Sequence, residues 1–479
     1  MNDFRTAGHA AVDLLADYLG KLSDGPVWQA MDPAVRERLL GLPLPRSGRA
    51  LDALVADIGG DVLPYPMGNG HPRFFGWVNA APAPAGVLAT LAAAAMNPSS
   101  AGGDHADVHL ERTVVRWIAE LAGFPHPPGG GLLTSGASMA TIVALGSARN
   151  RAARQLGVDV REQGLAALPP LTGYVSAETH SCVRKATELL GLGSRNLRSV
   201  RTDATGHLDP DDLREQVRAD RAAGLHPFLA VASAGTVNTG AVDDIAAIAA
   251  VCADEGLWLH VDGAYGAFGV LDPASAHRYA GLDLADSLAL DPHKWLGVPV
   301  DCGCVLVRDP VELRATFSLV PSYLRDENAG GLGWFSEYGI EQTRPFRSLK
   351  VWATIASSGR EGIARDVAHC TAMARRLGDL VAAEPSLELL APVETSIAAY
   401  RYAPDGVSED LLNQVNKALP VAVQERGRAF VTGTVLDGRE ASRACLINPA
   451  VAEADLAVLV EETVAAGAEL LAGLLAGLS

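Results

Sequence analysis

The sequence is poor in cysteine, in basic residues and in long apolar runs, and each shortage excludes a class of protein. Six cysteines scattered through 479 residues do not form the dense pattern of a disulfide scaffold. Lysine and arginine number 39 against 56 aspartates and glutamates, a net charge of −17, which argues against nucleic acid as the main partner. No uninterrupted apolar run reaches the roughly 18 residues that a bilayer-spanning helix needs, and the first residues lack a signal-peptide pattern. These absences predict a cytoplasmic protein with neither a nucleic-acid nor a membrane partner.

The length and the residue pattern predict three parts. The chain is longer than the roughly 250 to 300 residues at which a single core stops growing. Residues 1–68 combine helical spacing with proline and glycine connectors, which predicts an N-terminal helical arm. In residues 69–359, short apolar runs without a polar face alternate with helical stretches, a pattern typical of a mainly parallel central sheet flanked by helices. Residues 360–479 combine helices with a few strand-like runs, which predicts a small α+β C-terminal domain.

Three segments that follow predicted strands carry chemically useful residues. The strand GLLT leads into Ser135–Ser138 and a helix, where small residues and free N–H groups suit a phosphate. Asp262 ends the apolar run LWLHVD, and a buried carboxylate there needs a cation or hydrogen-bond donors. Lys294 follows SLALDPH beside Trp295, and apolar surroundings make a lysine a usable nucleophile toward carbonyls.

Each segment also has an ordinary interpretation when it is considered alone. A strand-to-helix turn, a capping aspartate and a solvated lysine would account for the three in turn. Together, however, a phosphate cradle, a strand-end aspartate and a strand-end lysine are what pyridoxal 5'-phosphate requires. The combination therefore predicts a pyridoxal-phosphate enzyme.

Further motifs resemble one family, the group II pyridoxal-phosphate-dependent amino-acid decarboxylases, and in particular the aromatic-L-amino-acid decarboxylases. In chain order they are FRTAGHAAVDLLADYL, HPRFFGW, TSGAS, AETHSCVRKA, HVDGAYG, DPHKW and RPFRSLKVW, and the likeness extends to about residue 360. The resemblance implies the pyridoxal-phosphate-dependent transferase fold type I, an α/β fold, and a homodimer. It also implies decarboxylation of an L-amino acid, preferably aromatic, to the amine and CO2.

The resemblance assigns the cofactor-binding residues. Lys294 would form the Schiff base with the cofactor, and Asp262 would hold the pyridine nitrogen protonated. Ala137, Ser138 and His293 would hold the phosphate.

The resemblance also implies roles around the ring of the cofactor. His180 would stack on the ring and position the substrate carboxylate, and Thr236 and Ala264 would line the ring. Tyr323, in the loop of about residues 321–343, would return a proton to the substrate, with Tyr338 as the rival candidate. In relatives, phenylalanine at the position of Tyr323 diverts the chemistry toward aldehydes, so a tyrosine there favours simple decarboxylation.

The substrate pocket is less determined by the motifs. The resemblance places Trp77, Ala80 and Thr343 in the pocket, but Ala80 stands where the aromatic branch usually has threonine and Thr343 where relatives have glycine or serine. Asp291 replaces the asparagine of many relatives. Decarboxylases of glutamate, aspartate or diaminobutyrate remain alternatives, as do an aldehyde synthase, a carbon–carbon lyase, an aminotransferase and an inactive cofactor-binding protein.

Two further groups of residues keep open or ordinary interpretations. Arg344 and Arg347 could reach a phosphate or a substrate carboxylate, or could pair with the surplus of acidic residues. Cys302 and Cys304 lack a second cysteine or histidine pair at metal-binding spacing, so we expect no metal site.

Overall fold

The computed structural model describes residues 2–319 and 333–478, which form two compact units. The small unit comprises residues 1–81, 375–390 and 398–479, and the large unit comprises 82–374 and 391–397. The division into 1–68, 69–359 and 360–479 stays a prediction, because the contacts group the first 81 residues with most of the C-terminal part.

The helices are α1 Asn2–Gly20, α2 Pro33–Leu40, α3 Leu51–Asp57, α4 Pro84–Met96, α5 Ala106–Ala122, α6 Ala137–Gln155, α7 Val160–Gln163, α8 Ser181–Leu189, α9 Pro210–Ala222, α10 Ile245–Glu255, α11 Pro310–Phe317, α12 Arg347–Ala383, α13 Glu409–Glu425 and α14 Glu453–Leu478. The strands are β1 Gly131–Thr134, β2 Leu171–Ser176, β3 Leu197–Val200, β4 His226–Ser233, β5 Trp258–Asp262, β6 Ser287–Leu290, β7 Gly303–Val307, β8 Leu387–Leu389, β9 Ile397–Tyr402, β10 Thr432–Leu436 and β11 Arg439–Cys445.

The large unit is built on one sheet with the strand order β1-β7-β6-β5-β4-β2-β3. Strands β3, β2, β4, β5 and β6 pair in parallel, whereas β7 pairs antiparallel with both β1 and β6. Consequently β1 runs in the same direction as the parallel strands. Every residue of β1, β2, β5, β6 and β7 is buried, as expected for strands covered on both faces. The mainly parallel α/β sheet predicted from the sequence is confirmed.

The small unit contains the predicted helical segments of the arm and a second sheet. Helix α2 begins where Asp32 accepts hydrogen bonds from the N–H groups of Ala34 and Val35, a side-chain cap before a proline at the first helical position. Strands β8 to β11 form a four-stranded sheet in the order β10-β11-β9-β8, in which β10 pairs antiparallel with β11 and β8 with β9.

Helix α12 contains a break at Gly359, whose φ of 64° is non-helical. A left-handed backbone of this kind is readily adopted by glycine and interrupts the helical hydrogen bonds. The C-terminal helical stretch expected to begin near residue 360 therefore follows this break, and a separate helical segment that begins at Arg347 precedes it. None of the helices in the described parts of the chain is long and apolar enough to cross a membrane.

Candidate active site

The predicted site residues follow the carboxyl ends of five strands that run in the same direction. Because those ends meet at one edge of a sheet, ligands of open α/β sheets bind there. The residues follow the strands in this order: Ala137 and Ser138 after β1, His180 after β2, Thr236 after β4, Asp262 and Ala264 at the end of β5, and His293 and Lys294 after β6.

Asp291 connects three of these segments. Its side chain is buried, with 3% of the residue exposed. Its Oδ2 lies 2.9 Å from the Nζ atom of Lys294, and its Oδ1 accepts a hydrogen bond of 2.6 Å from the backbone N–H of Ala137. The backbone N–H of Asp291 donates to the carbonyl oxygen of Ala264 at 3.1 Å. Asp291 therefore holds the lysine beside the start of α6.

In the sequence, Asp291 stands out only as a departure from the family pattern. Its position three residues before Lys294 in DPHKW was the available signal. Its contact with Ala137, which is 154 positions away in the chain, depends on the order of the strands and is not visible locally.

Asp262 is buried at the end of β5, with 7% of the residue exposed. Its Oδ1 accepts a hydrogen bond of 3.1 Å from the N–H of Ala264, and its Oδ2 lies 3.8 Å from the Sγ atom of Cys182, in hydrogen-bond geometry. Within residues 2–319 and 333–478, no lysine or arginine forms an ion pair with this carboxylate. The expectation that Asp262 needs nearby donors is met by one amide and one thiol, and a cationic ligand can still be accepted.

His180 is the N-cap of α8. Its Nδ1 atom accepts a hydrogen bond of 3.2 Å from the N–H of Cys182, so a neutral ring carries its proton on Nε2. The pKa of His180 is lowered, chiefly because burial disfavours the charged imidazole. The negative charge of Asp262 acts in the opposite direction, and the positive charge of Lys294 adds to the lowering. A ring nitrogen of His180, the Sγ atom of Cys182 and a carboxylate oxygen of Asp262 all lie within 4.8 Å of one another. His180, which is predicted to stack on the cofactor, therefore lies beside Asp262, which is predicted to bind the pyridine nitrogen of the cofactor.

His293 is oriented by a backbone contact. Its Nδ1 accepts a hydrogen bond of 2.9 Å from the N–H of Cys302, and its Nε2 lies 3.7 Å from Oδ2 of Asp291. Burial lowers the pKa of His293, so the neutral ring presents an N–H group at Nε2. An N–H group in this position suits an anion near the start of α6.

The turn before α6 is held close to β7. A Cβ atom on Gly303 would lie 2.4 Å from the carbonyl carbon of Gly136, so only glycine permits this approach. Thr236 is also buried, and its Oγ1 lies 3.0 Å from Oγ1 of Thr239 and accepts a hydrogen bond from Ala241. The hydroxyl of Thr236 is therefore engaged within its own turn.

The placement of four further predicted site residues in this site stays a prediction. Tyr323 lies outside the described residues. Trp77 and Ala80 belong to the small unit, where the ring of Trp77 lies 5.3 Å from that of Phe430, centroid to centroid. Thr343 is exposed on the large unit. The substrate-pocket roles of Trp77, Ala80 and Thr343 stay predictions.

Tyr338, the rival proton donor, lines a separate cavity. This cavity has a volume of about 230 Å³ and is also lined by Arg112, Arg116, His126 and Phe335. None of the predicted cofactor-binding residues is among the described residues that line it.

The two arginines of RPFRSLKVW pair with acidic side chains. Arg344 binds Glu111, and Arg347 binds Asp301 and Glu341. The contacts of Arg344 and Arg347 therefore match the interpretation that these arginines pair with the surplus of acidic residues. Cys302 and Cys304 are buried free cysteines, and burial raises the pKa of both thiols.

Comparisons with known proteins cover most of the chain. Residues 33–403 match the family model of the pyridoxal-dependent decarboxylase conserved domain. An aromatic-L-amino-acid decarboxylase of Bacillus atrophaeus is 33% identical over 452 residues, which are 93% of this chain and 92% of the relative. A phenylacetaldehyde synthase of Arabidopsis thaliana is 30% identical over 456 residues, which are 93% of this chain and 92% of the relative. The crystal structure of Oryza sativa TDC with PLP and tryptamine matches with a TM-score of 0.90 at 28% identity, and covers 98% of this chain and 99% of that chain.

Proposed function

The chain belongs to the pyridoxal-dependent decarboxylase family, and from this premise we propose that it converts an L-amino acid, preferably an aromatic one, into the amine and CO2. It is a pyridoxal-phosphate-dependent carboxy-lyase of fold type I. The observation that carries the proposal is the convergence of Lys294, Asp262 and His180 at one edge of the sheet.

The residues at this edge fit pyridoxal phosphate. Ser138 at the start of α6 and the Nε2–H of His293 offer donors to a phosphate, whereas the N–H of Ala137 is bound to Asp291, so Ala137 would contribute only a small side chain that lets the phosphate approach. Asp262 has amide and thiol donors but, among the described residues, no cationic side chain, so a protonated pyridine nitrogen would supply the missing charge. When bound, the cofactor supplies the electron sink that makes loss of CO2 possible.

The roles of the protein side chains follow from their positions. Asp291 holds the Lys294 amine near the start of α6, where the cofactor would be anchored. His180 presents a neutral imidazole, which would stack on the bound cofactor and would keep the substrate carboxylate oriented for its departure. We propose that Tyr323 then returns a proton to the α-carbon of the substrate. Thr236 and Ala264 would line the ring of the bound cofactor.

The preference for aromatic substrates rests on likeness. The FRSLK motif and the Tyr-Leu loop are similar to the aromatic branch, and the relatives include an aromatic-L-amino-acid decarboxylase. The acidic and diamino acids remain the competing substrates, because HPRFF also occurs in the decarboxylases that use them. A second candidate is an aldehyde synthase, since a relative with 30% identity is a phenylacetaldehyde synthase.

The decisive experiment is a panel of amino acids incubated with the purified protein and pyridoxal phosphate. Tryptophan, tyrosine, phenylalanine, glutamate, aspartate and diaminobutyrate are tested, with CO2, amine, aldehyde and ammonia measured for each. We expect amine and CO2 in equal amounts from an aromatic substrate, and neither from Lys294→Ala. Amine from glutamate alone would replace the aromatic preference, aldehyde with ammonia would favour the synthase, and no amine from any substrate would refute the decarboxylase proposal.

We further propose that the protein acts as a cytoplasmic homodimer. Apolar side chains of the small unit remain exposed in the single chain, among them Phe4 at 60%, Leu40 at 83% and Leu44 at 91%. Large apolar side chains at a surface are typical of regions that a partner covers. This exposure supports a second copy of the chain as that partner.

A further inference from the structure

We propose that Cys182 is a positioning residue whose thiol orients Asp262 toward the nitrogen of the cofactor. The inference rests on the cofactor role proposed above for Asp262. Cys182 is known from the sequence only as part of AETHSCVRKA, where it has no assigned task. Three contacts of this side chain and its backbone support the proposal.

The sulfur atom lies where three elements meet. Cys182 is the second residue of α8, and only 3% of it is exposed. Its Sγ atom lies 3.8 Å from Oδ2 of Asp262 and 3.8 Å from Oγ1 of Thr141 on α6. Hydrogen bonds of sulfur are longer than those of nitrogen or oxygen because the atom is larger, so both distances are compatible with a thiol contact.

The thiol is protonated and can act as a donor. Burial, together with the nearby charge of Asp262, raises the pKa of Cys182 to about 12. A protonated thiol donates its hydrogen, whereas an ionised carboxylate can only accept. The direction of the contact is therefore from Sγ to Oδ2.

This contact completes the support of the Asp262 carboxylate. Oδ1 of Asp262 already accepts the N–H of Ala264 at 3.1 Å. With one donor on each oxygen, rotation of the carboxylate about its last bond costs a hydrogen bond. The thiol therefore restricts the carboxylate to one orientation before a cofactor arrives, which reduces the cost of binding.

The backbone of the same residue acts on His180. The N–H of Cys182 donates to Nδ1 of His180 at 3.2 Å, and this contact does not involve the side chain. Substitution of the cysteine therefore alters the donor to Asp262 and leaves the donor to His180 in place. The two effects can be separated by mutation.

The competing explanation is that Cys182 only fills space in the apolar core of the large unit, in which it is packed. Serine and alanine distinguish the two. A serine hydroxyl keeps a donor, whereas alanine of nearly the same size has none. Packing alone predicts similar losses in both variants, or a greater loss in serine because a hydroxyl is costly in an apolar core.

The test measures equilibrium binding of pyridoxal phosphate to the cofactor-free full chain, by quenching of protein fluorescence and by absorbance of the bound cofactor. We expect Cys182→Ala to raise the Kd about three- to tenfold, the effect of losing one hydrogen bond. Cys182→Ser should remain within about threefold of the wild type. Cys252→Ala is the matched control, since Cys252 on α10 is also buried at 3% exposure, and its Kd should be unchanged. Equal losses in the alanine and serine variants would overturn the proposal.

A double-mutant cycle with Asp262→Asn tests the pathway of the effect. If Cys182 acts through Asp262, Cys182→Ala should have no additional effect on the Kd in the Asp262→Asn background. An unaltered effect in that background would overturn the proposal. Wild-type affinity in Cys182→Ala together with weak binding in Asp262→Asn would refute only the role of Cys182. Wild-type affinity in Asp262→Asn would instead refute the cofactor role of Asp262.

Discussion

Replacing Glu111 by glutamine should destabilise the cofactor-free protein strongly, because Glu111 is half of a buried ion pair. Glu111 is 0% exposed and its partner Arg344 is 1% exposed. The pair is bidentate, with Oε2 3.0 Å from Nη1 and Oε1 2.5 Å from Nη2. Arg344 also donates to the carbonyl oxygens of Ser100 and Leu133, at 2.9 and 2.6 Å. The pair thereby connects α5 to β1, the strand that leads to the start of α6.

The magnitude follows from the burial. Glutamine keeps the shape of glutamate but removes the negative charge and turns an N–H group toward the guanidinium. Arg344 then keeps two carbonyl acceptors and the more distant carboxylate of Glu341, 3.8 Å from its Nε atom, but loses its bidentate partner, and breaking a buried pair in this way costs about 3–5 kcal/mol. The matched control is Glu120→Gln on the same helix. Glu120 pairs with Arg116, but these side chains are 57% and 53% exposed, so the loss there should be below about 1 kcal/mol.

The assay is urea-induced unfolding followed by far-UV circular dichroism and by tryptophan fluorescence. The midpoint for Glu111→Gln should fall well below those of the wild type and Glu120→Gln, with an unchanged slope. A second variant that combines Glu111→Leu with Arg344→Met should recover part of the loss, because removing both charges leaves neither unpaired. Equal midpoints for Glu111→Gln and Glu120→Gln would refute the reasoning.

Two further predictions concern pH and the course of the reaction. His207 donates to Glu394 at 2.9 Å, and this contact, with Asp203, raises the pKa of His207 to about 9. Since the folded pKa lies above the ordinary 6.5, the stabilisation is complete below pH 6.5 and disappears as pH rises through 9. His207→Gln should therefore lose about 2 kcal/mol at pH 6 and almost nothing at pH 10 in urea unfolding, and a loss that does not change with pH would contradict this. Tyr323→Phe should lower the amine yield and raise aldehyde and ammonia, and a wild-type amine yield would direct attention to Tyr338.

Much of the fold is predictable from local sequence patterns. The run GLLT coincides with β1, and the runs LWLHVD and GCVLVR contain β5 and β7. These strands are buried on both faces, so their residues are continuously apolar and recognisable. Strand β3 was not predicted, because three of its four residues are only partly buried or exposed and the run LRSV lacks that continuous apolar character.

Strand order and direction could not be predicted locally. The antiparallel direction of β7, between β6 and β1, depends on which strands pair, and pairing joins residues far apart in the chain. The same holds for the break at Gly359, since glycine in a helical pattern is compatible with a continuous helix as well as with an interruption.

By itself the sequence predicted the chemical groups of the candidate site. Lys294, Asp262 and His180 are recognisable because their side chains and the short motifs around them are local properties. Only the tertiary structure decided what supports those groups. Asp291 meets Ala137 across 154 positions, and Cys182 meets Asp262 across 80. Such contacts arise because parallel strands bring their carboxyl ends to one edge, and no short segment of the sequence contains both partners.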